Sequence, residues 1–252
     1  LLTLPYPGDP LTPGTPATEH AERLDPEKVD LPHIPVQPIG YGAAGEIFRR
    51  MNGKALPQDL IKTWQGGLPC AYRLEGGPKL TVRVMVKQER MIGHTANVIA
   101  SLPGARFPDQ KIIIGCHHDA WCCGAGDPTS GTILVFEAAK SFAEAAKKGL
   151  RPKRTILFCT WGAEEFGMLG STEYCEQFED DLSKNAIAYL NLDAASMGTK
   201  FGSSAAPPLK TLIDEITSDV PQAGSASADR VSASWHGGVD EPQFGNLGGG
   251  LA

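Results

Sequence analysis

The chain has 252 residues, of which 41% are hydrophobic and 21% charged, so there is ample apolar material for a packed core. A formal net charge of -6, with no basic block anywhere, argues against a nucleic-acid partner. No apolar run reaches the roughly 18 residues needed to span a membrane, and the 6 cysteines show neither CxxC pairs nor the regular spacing of a disulfide framework. The opening "LLTLPYPGDPLTPGTP" and the closing "LGGGLA" both read as interior sequence, which predicts a piece of a longer protein.

In chain order, residues 1 to about 38 are proline-rich and predict extended, loop-like chain. "GYGAAGEIFRRMNG" (40–53) predicts a short helix ended by Gly53. "KLTVRVMVK" (79–87) sets Leu80, Val82, Val84 and Val86 against Thr81, Arg83 and Met85, the period-2 pattern of a half-buried strand.

From about residue 92 the texture changes. "ANVIASL", "KIIIGC", "TILFCTW" and "IAYLNL" are short apolar runs of the kind buried on both faces of a mostly parallel sheet. Between them, "SGTILVFEAAKSFAEAAKKG" gathers Leu134, Val135, Ala138, Ala139, Phe142 and Ala146 on one helical face, with Ser130 as a candidate cap and Gly149 as a stop. Further helices are predicted over 171–184 and within "PPLKTLIDEITSDV". This alternation predicts an α/β fold, a three-layer sandwich around a mixed, mostly parallel sheet.

In such folds the chemistry collects at the carboxyl ends of the strands. "KIIIGC" runs into His117-His118-Asp119, "TILFCTW" into Glu164-Glu165, and "IAYLNL" into Asp193, while Asp127 sits in the Gly-rich loop "CCGAGDPTSG" before the long helix. A single carboxylate at a strand end is usually just solvated. So many converging acids would repel one another, and divalent cations are the simplest remedy. Imidazole with carboxylates suits zinc, or cobalt and manganese as substitutes.

Strand alternation puts His117 and Asp119 on one face and turns His118 away, so His117 is the candidate ligand and Asp119 the acceptor of its second N–H. His20, His33, His94 and His236 belong to no such constellation of acids, and each reads as an ordinary histidine. Adjacent Cys122 and Cys123 reach one ion together only with difficulty, so they are expected as free thiols beside the site. Of Glu164 and Glu165, one is free to bind metal while the other acts as general base, a division of labour that means hydrolysis.

"GCHHDAW…GAGDPTSG", "RPKRTILFCTWGAEEFGMLGSTEYCE" and "AYLNLDAAS" closely resemble the co-catalytic dizinc peptidases of the glutamate carboxypeptidase II and transferrin receptor group. The likeness reaches back through "GDPLTPGTPA" and "LPHIPVQPIGYGAA". The resemblance implies two zinc ions bridged by Asp127, one completed by His117 and Asp193, the other held by Glu165, with Glu164 as general base and Asp119 orienting His117. It also implies a calcium site on the backbone carbonyls of Thr12 and Thr15 and the carboxylates of Glu173 and Glu176, with Thr15 replacing the family's tyrosine.

By the same resemblance, residues 1–91 are the C-terminal part of a protease-associated (apical) domain and 92–252 the first part of a peptidase domain. The second zinc would need a histidine downstream of "FGNLGGG", so His236 is the wrong one. The implied activity is exopeptidase hydrolysis of peptide substrates by metal-activated water, in an extracellular or membrane-anchored parent that is expected to be homodimeric. Aminopeptidase and carboxypeptidase specificity both remain open, as does a catalytically inactive receptor or scaffold.

Overall fold

A computed structural model describes residues 7–236, apart from 30, 32, 33, 88, 90, 197, 199, 200 and 225–228. The chain divides into two units, one of residues 31–93 and one combining 1–30 with 94–252. Residues of the first segment are tied to the later unit: Gly8 N–H donates to the Gly167 carbonyl (2.9 Å), and the Asp9 and Ala17 N–H groups donate to the two carboxylate oxygens of Glu173 (2.6 and 2.5 Å).

The larger unit carries a four-stranded sheet. Its strands are β1 (Val98–Leu102), β2 (Phe107–His117), β3 (Arg154–Trp161) and β4 (Ala186–Asn191), in the order β1-β3-β2-β4. β2 runs parallel to both β3 and β4, and β1 pairs antiparallel with β3. The helices are α3 (Thr129–Lys147), α4 (Leu169–Gln177), α5 (Glu179–Asn185), α6 (Lys210–Asp219) and α7 (Val231–His236), preceded in the smaller unit by α1 (Tyr41–Arg50) and α2 (Ile61–Trp64). No helix among the described residues is long and apolar enough to cross a membrane.

Side-chain alternation along the inner strands builds the three layers. Ile114, Cys116, Ile156 and Phe158 face α3, where they enclose Val135 and meet the small side chains of Ala138 and Ala139. Ile113, Leu157, Cys159 and Trp161 face the other way, against Tyr174 of α4 and Leu182 of α5. Both faces of β3 are thus covered, which is why "TILFCTW" is apolar without alternation. Truncating Phe158 to Ala should cost about 3–5 kcal/mol, read as a lowered denaturant midpoint, because its ring lies 5.9 Å from that of Phe142 in a closed layer.

Several local expectations are corrected. The first helix stops at Arg50, not Gly53, because Met51 turns extended and the Asn52 N–H goes to the Gly76 carbonyl (3.0 Å). Gly53 serves a close approach, since a Cβ there would lie 2.6 Å from the Glu75 carbonyl oxygen. The segment 79–87 forms no strand, and Val82, Val84 and Met85 are 52%, 48% and 83% exposed. Alternation alone makes no strand without a ladder partner, and none is found among the described residues.

The helix expected over 171–184 is two, broken at Phe178, where Glu179, Asp180 and Asp181 crowd the first turn of α5. Three acids there favour a new helix N-terminus. Ser130 does not cap α3; its hydroxyl donates to the Gly126 carbonyl (2.5 Å) and so secures the preceding loop.

Candidate metal centre

Because β2, β3 and β4 are parallel, their carboxyl ends share one edge of the sheet: His117 pairs with Trp161, and Gly115 with Asn191. His117 is buried to 1% exposure at this edge. Its Nε2 lies 2.9 Å from Asp127 Oδ1, 3.2 Å from Asp193 Oδ1 and 3.9 Å from Glu164 Oε2. The ligand atoms of His117, Asp127 and Asp193 all lie within 4.8 Å of one another, the one such grouping found among the described residues.

The electrostatics are those of an acid-rich cluster around one imidazole. At His117 burial works against the charged form, but Glu164, Asp193 and Asp119 outweigh it and raise the pKa. The Glu164 carboxyl is pushed up by burial, then pulled back by His117, and raised again by Asp193, Glu165 and Asp119. Burial also raises Glu165, with Asp127 adding to it and a hydrogen bond with Trp121 opposing. Proton uptake and cation binding are the two ways such a cluster relieves its repulsion.

Asp119 acts differently from the expectation. His117 Nδ1 sits 2.9 Å from the Asp119 backbone carbonyl, while the nearer carboxylate oxygen is 3.6 Å away. That carboxylate instead accepts the backbone N–H groups of Glu164 (2.9 Å) and Glu165 (3.1 Å). The two glutamates lie in a 3-10 turn, Glu164–Phe166, beyond the end of β3. The turn is flanked by Ala163 (φ 55°) and Met168 (φ 56°), two non-glycine residues in the left-handed region, each costing about 1–2 kcal/mol.

Residues not singled out in the sequence complete the scaffold. Thr132 donates its hydroxyl to the His117 carbonyl (2.6 Å), and the Trp121 ring packs against Phe166 at 5.6 Å. The Cys116 thiol, raised to about 11 chiefly by burial, points to the carbonyls of Pro128 (3.6 Å) and Asp193 (3.7 Å). Gly131 lets α3 approach the end of β4, since a Cβ there would run into the carbonyls of Asp193 and Leu192. Gly131→Ala should therefore displace Asp193 and weaken metal binding at least about tenfold, measurable by competition with a chelator, in line with the effect of losing one supporting contact.

His118 is exposed, as are Cys122 and Cys123, which are free thiols outside the cluster. His33, the His236 side chain and "FGNLGGG" lie outside the described residues.

The residues expected to hold calcium make the following contacts. Glu173 binds the residue 9 and 17 amides, the Thr12 carbonyl accepts from Thr15 N–H (3.0 Å) and hydroxyl (3.2 Å), and one Glu176 carboxylate oxygen is buried with no hydrogen-bond partner. The Glu176 carboxyl is raised by burial and by the neighbouring Glu173, against a hydrogen bond from the Gly14 backbone.

An α/β sheet offering one histidine and several acids at the ends of its parallel strands is a scaffold suited to metal-assisted hydrolysis. Residues 97–236 match Peptidase family M28, and the chain belongs to that family. It is 37% identical over 232 residues to aminopeptidase NAALADL1 of Rattus norvegicus, covering 88% of this chain and 31% of the relative. It is 36% identical over 247 residues to the probable glutamate carboxypeptidase LAMP1 of Arabidopsis thaliana (96% and 34%), and 34% identical over 243 residues to transferrin receptor protein 2 of Rattus norvegicus (93% and 30%). The chain spans about a third of the length of these relatives.

Proposed function

We propose that the whole protein is a co-catalytic dizinc exopeptidase, and that this chain supplies one complete zinc site and part of the second. The observation that carries the reading is His117 Nε2 held between Asp127 Oδ1 and Asp193 Oδ1. The donor set fits zinc: a neutral imidazole nitrogen and two carboxylates, the nitrogen oriented by the Asp119 carbonyl behind it. Asp127 would bridge to a second ion held by Glu165. These two protein ligands are one short of the three usual at a catalytic zinc. Bound zinc would act as a Lewis acid toward water and the substrate carbonyl.

The remaining chemistry belongs to side chains. Glu164, its carboxyl raised mainly by burial, would take the proton of the attacking water and return it to the leaving amine. Asp119 holds Glu164 and Glu165 at the right place through their backbone N–H groups. Peptides are the substrates implied by the family. Whether the enzyme removes N-terminal or C-terminal residues is decided by comparing an aminoacyl-coumarin amide with an N-acylated dipeptide ending in glutamate. The 34% identical relative named as a transferrin receptor favours a second reading, an inactive receptor or scaffold. Against it stands the full set of His117, Asp127, Glu164, Glu165 and Asp193, for which a receptor has no chemical need.

Elemental analysis of the purified 252-residue chain should give one firmly bound zinc. Two tightly bound ions would mean that the second site needs no further ligand, and none would remove the reading.

We also propose calcium at Glu173, Glu176 and the carbonyls of Thr12 and Thr15, supported by the unpartnered Glu176 oxygen and the hard, all-oxygen donor set. Calcium at 100 times its Kd should add about 2.7 kcal/mol of stability, seen as a raised Tm that Glu176→Gln diminishes. An unchanged Tm in calcium and in chelator would count against the site. Residues 1–91, as the C-terminal part of a protease-associated domain, and an extracellular or membrane-anchored, homodimeric parent belong to the same proposal.

A further inference from the structure

We infer that Asn97 is a positioning residue for hydrolysis, acting by latching the neck of the loop that presents Glu164 and Glu165; this rests on the roles proposed for those two glutamates. Asn97 precedes β1, and its carboxamide reaches both ends of the loop. Oδ1 accepts the Gly162 N–H (3.1 Å), where the chain leaves β3, and Nδ2 donates to the Gly170 carbonyl (2.7 Å), in the first turn of α4. Between these points the Gly170 N–H donates to the Gly162 carbonyl (2.9 Å), so the loop is closed across its base and the side chain bridges the closure.

The neck has no space for another arrangement. A Cβ on Gly170 would collide with Asn97 Oδ1 and lie 2.5 Å from the Gly162 carbonyl oxygen. A Cβ on Gly162 would collide with the Thr95 hydroxyl and lie 2.7 Å from the Ala96 carbonyl oxygen. Inside the neck, Ala163 and Met168 hold left-handed backbone that non-glycine residues avoid when free to relax. The loop therefore needs restraint from outside, and two side chains give it: the Asp119 carboxylate on the Glu164 and Glu165 amides, and the Asn97 carboxamide at the base.

Only a group with one donor and one acceptor in fixed relation completes the bridge. Aspartate keeps the bond from Gly162 but turns a second acceptor toward the Gly170 carbonyl, which opens the neck. Released, the loop shifts both glutamates relative to His117, Asp127 and Asp193. A displacement of ~1 Å at a reacting centre costs up to about 100-fold in rate.

The test uses Asn97→Asp, with Asn97→Gln, which keeps both groups on a longer stem, as the second variant. Amide hydrogen exchange at Glu164 and Glu165 should be at least about tenfold faster in Asn97→Asp, with β2 amides unchanged. In full-length protein, on whichever of the two probe substrates is cleaved, kcat should fall about 10–100-fold with KM within about threefold, and Asn97→Gln should recover part of it. Unchanged exchange at the two glutamates, or equal losses spread over kcat, KM and Tm, would overturn the inference. If the wild type cleaves neither probe, the peptidase reading fails instead, and the exchange rates still decide whether Asn97 holds the loop. Should Asn97→Asp fail to fold, Asn97→Gln is read by the same two measurements.

Discussion

Glu164→Gln in the full-length protein is expected to abolish peptide hydrolysis, by at least the ~10²–10⁴-fold that a positioned acid–base group contributes, while leaving the zinc content unchanged. The substitution removes one ionisable oxygen and keeps the shape. Glu164 Oε2 stands 3.9 Å from His117 Nε2, farther than the oxygens of Asp127 and Asp193, so it borders the cluster without completing it. Its backbone N–H bond to Asp119 does not depend on the side chain, so the loop should stay in place. Steady-state kinetics alongside elemental analysis separates the possibilities. Retained activity would remove Glu164 as the base, and lost zinc would make it a ligand.

His117→Ala should have the largest effect on metal binding. The imidazole is the one nitrogen donor in the cluster, and its removal leaves Asp127 and Asp193 facing each other unshielded. Zinc affinity should fall by more than the 10–100-fold typical of losing an outer-shell partner. Replacing both Cys122 and Cys123 with serine should leave affinity unchanged, because those exposed thiols lie outside the cluster. Chelator competition on the two variants reads both outcomes directly.

The reasons these residues were legible in the sequence are physical. β3 is buried on both faces, so its apolar run is continuous and its end easily located. The parallel arrangement then makes the polar residues after β2, β3 and β4 neighbours by topology, and His117, Glu164 and Asp193 follow from that. Asp127 was legible because it lies in the Gly-rich loop that leads from the end of β2 into α3, on the same edge of the sheet.

What escaped depends on contacts that no local pattern encodes. Asn97 works through atoms 65 and 73 residues away, so neither spacing nor periodicity marks it. Thr132 and Trp121 are ordinary residues of a helix and a loop until the fold sets them beside His117 and Glu165. The opposite failure occurred at 79–87, where a clean alternation met no partner strand. At Phe178 a signal was present, the acids of "FEDD", yet the helical pattern on either side concealed the break. Asp119 was correctly placed next to His117, but its carboxylate serves the glutamate loop and its carbonyl serves the imidazole.

The central claim, a zinc site built from one imidazole and carboxylates at the ends of parallel strands, is tested most directly by zinc-edge X-ray absorption on the metal-loaded chain. The account predicts a nitrogen and oxygen shell at about 2.0–2.1 Å that disappears with His117→Ala. A sulfur shell near 2.3 Å, or an unchanged spectrum in His117→Ala, would place the metal elsewhere and contradict it.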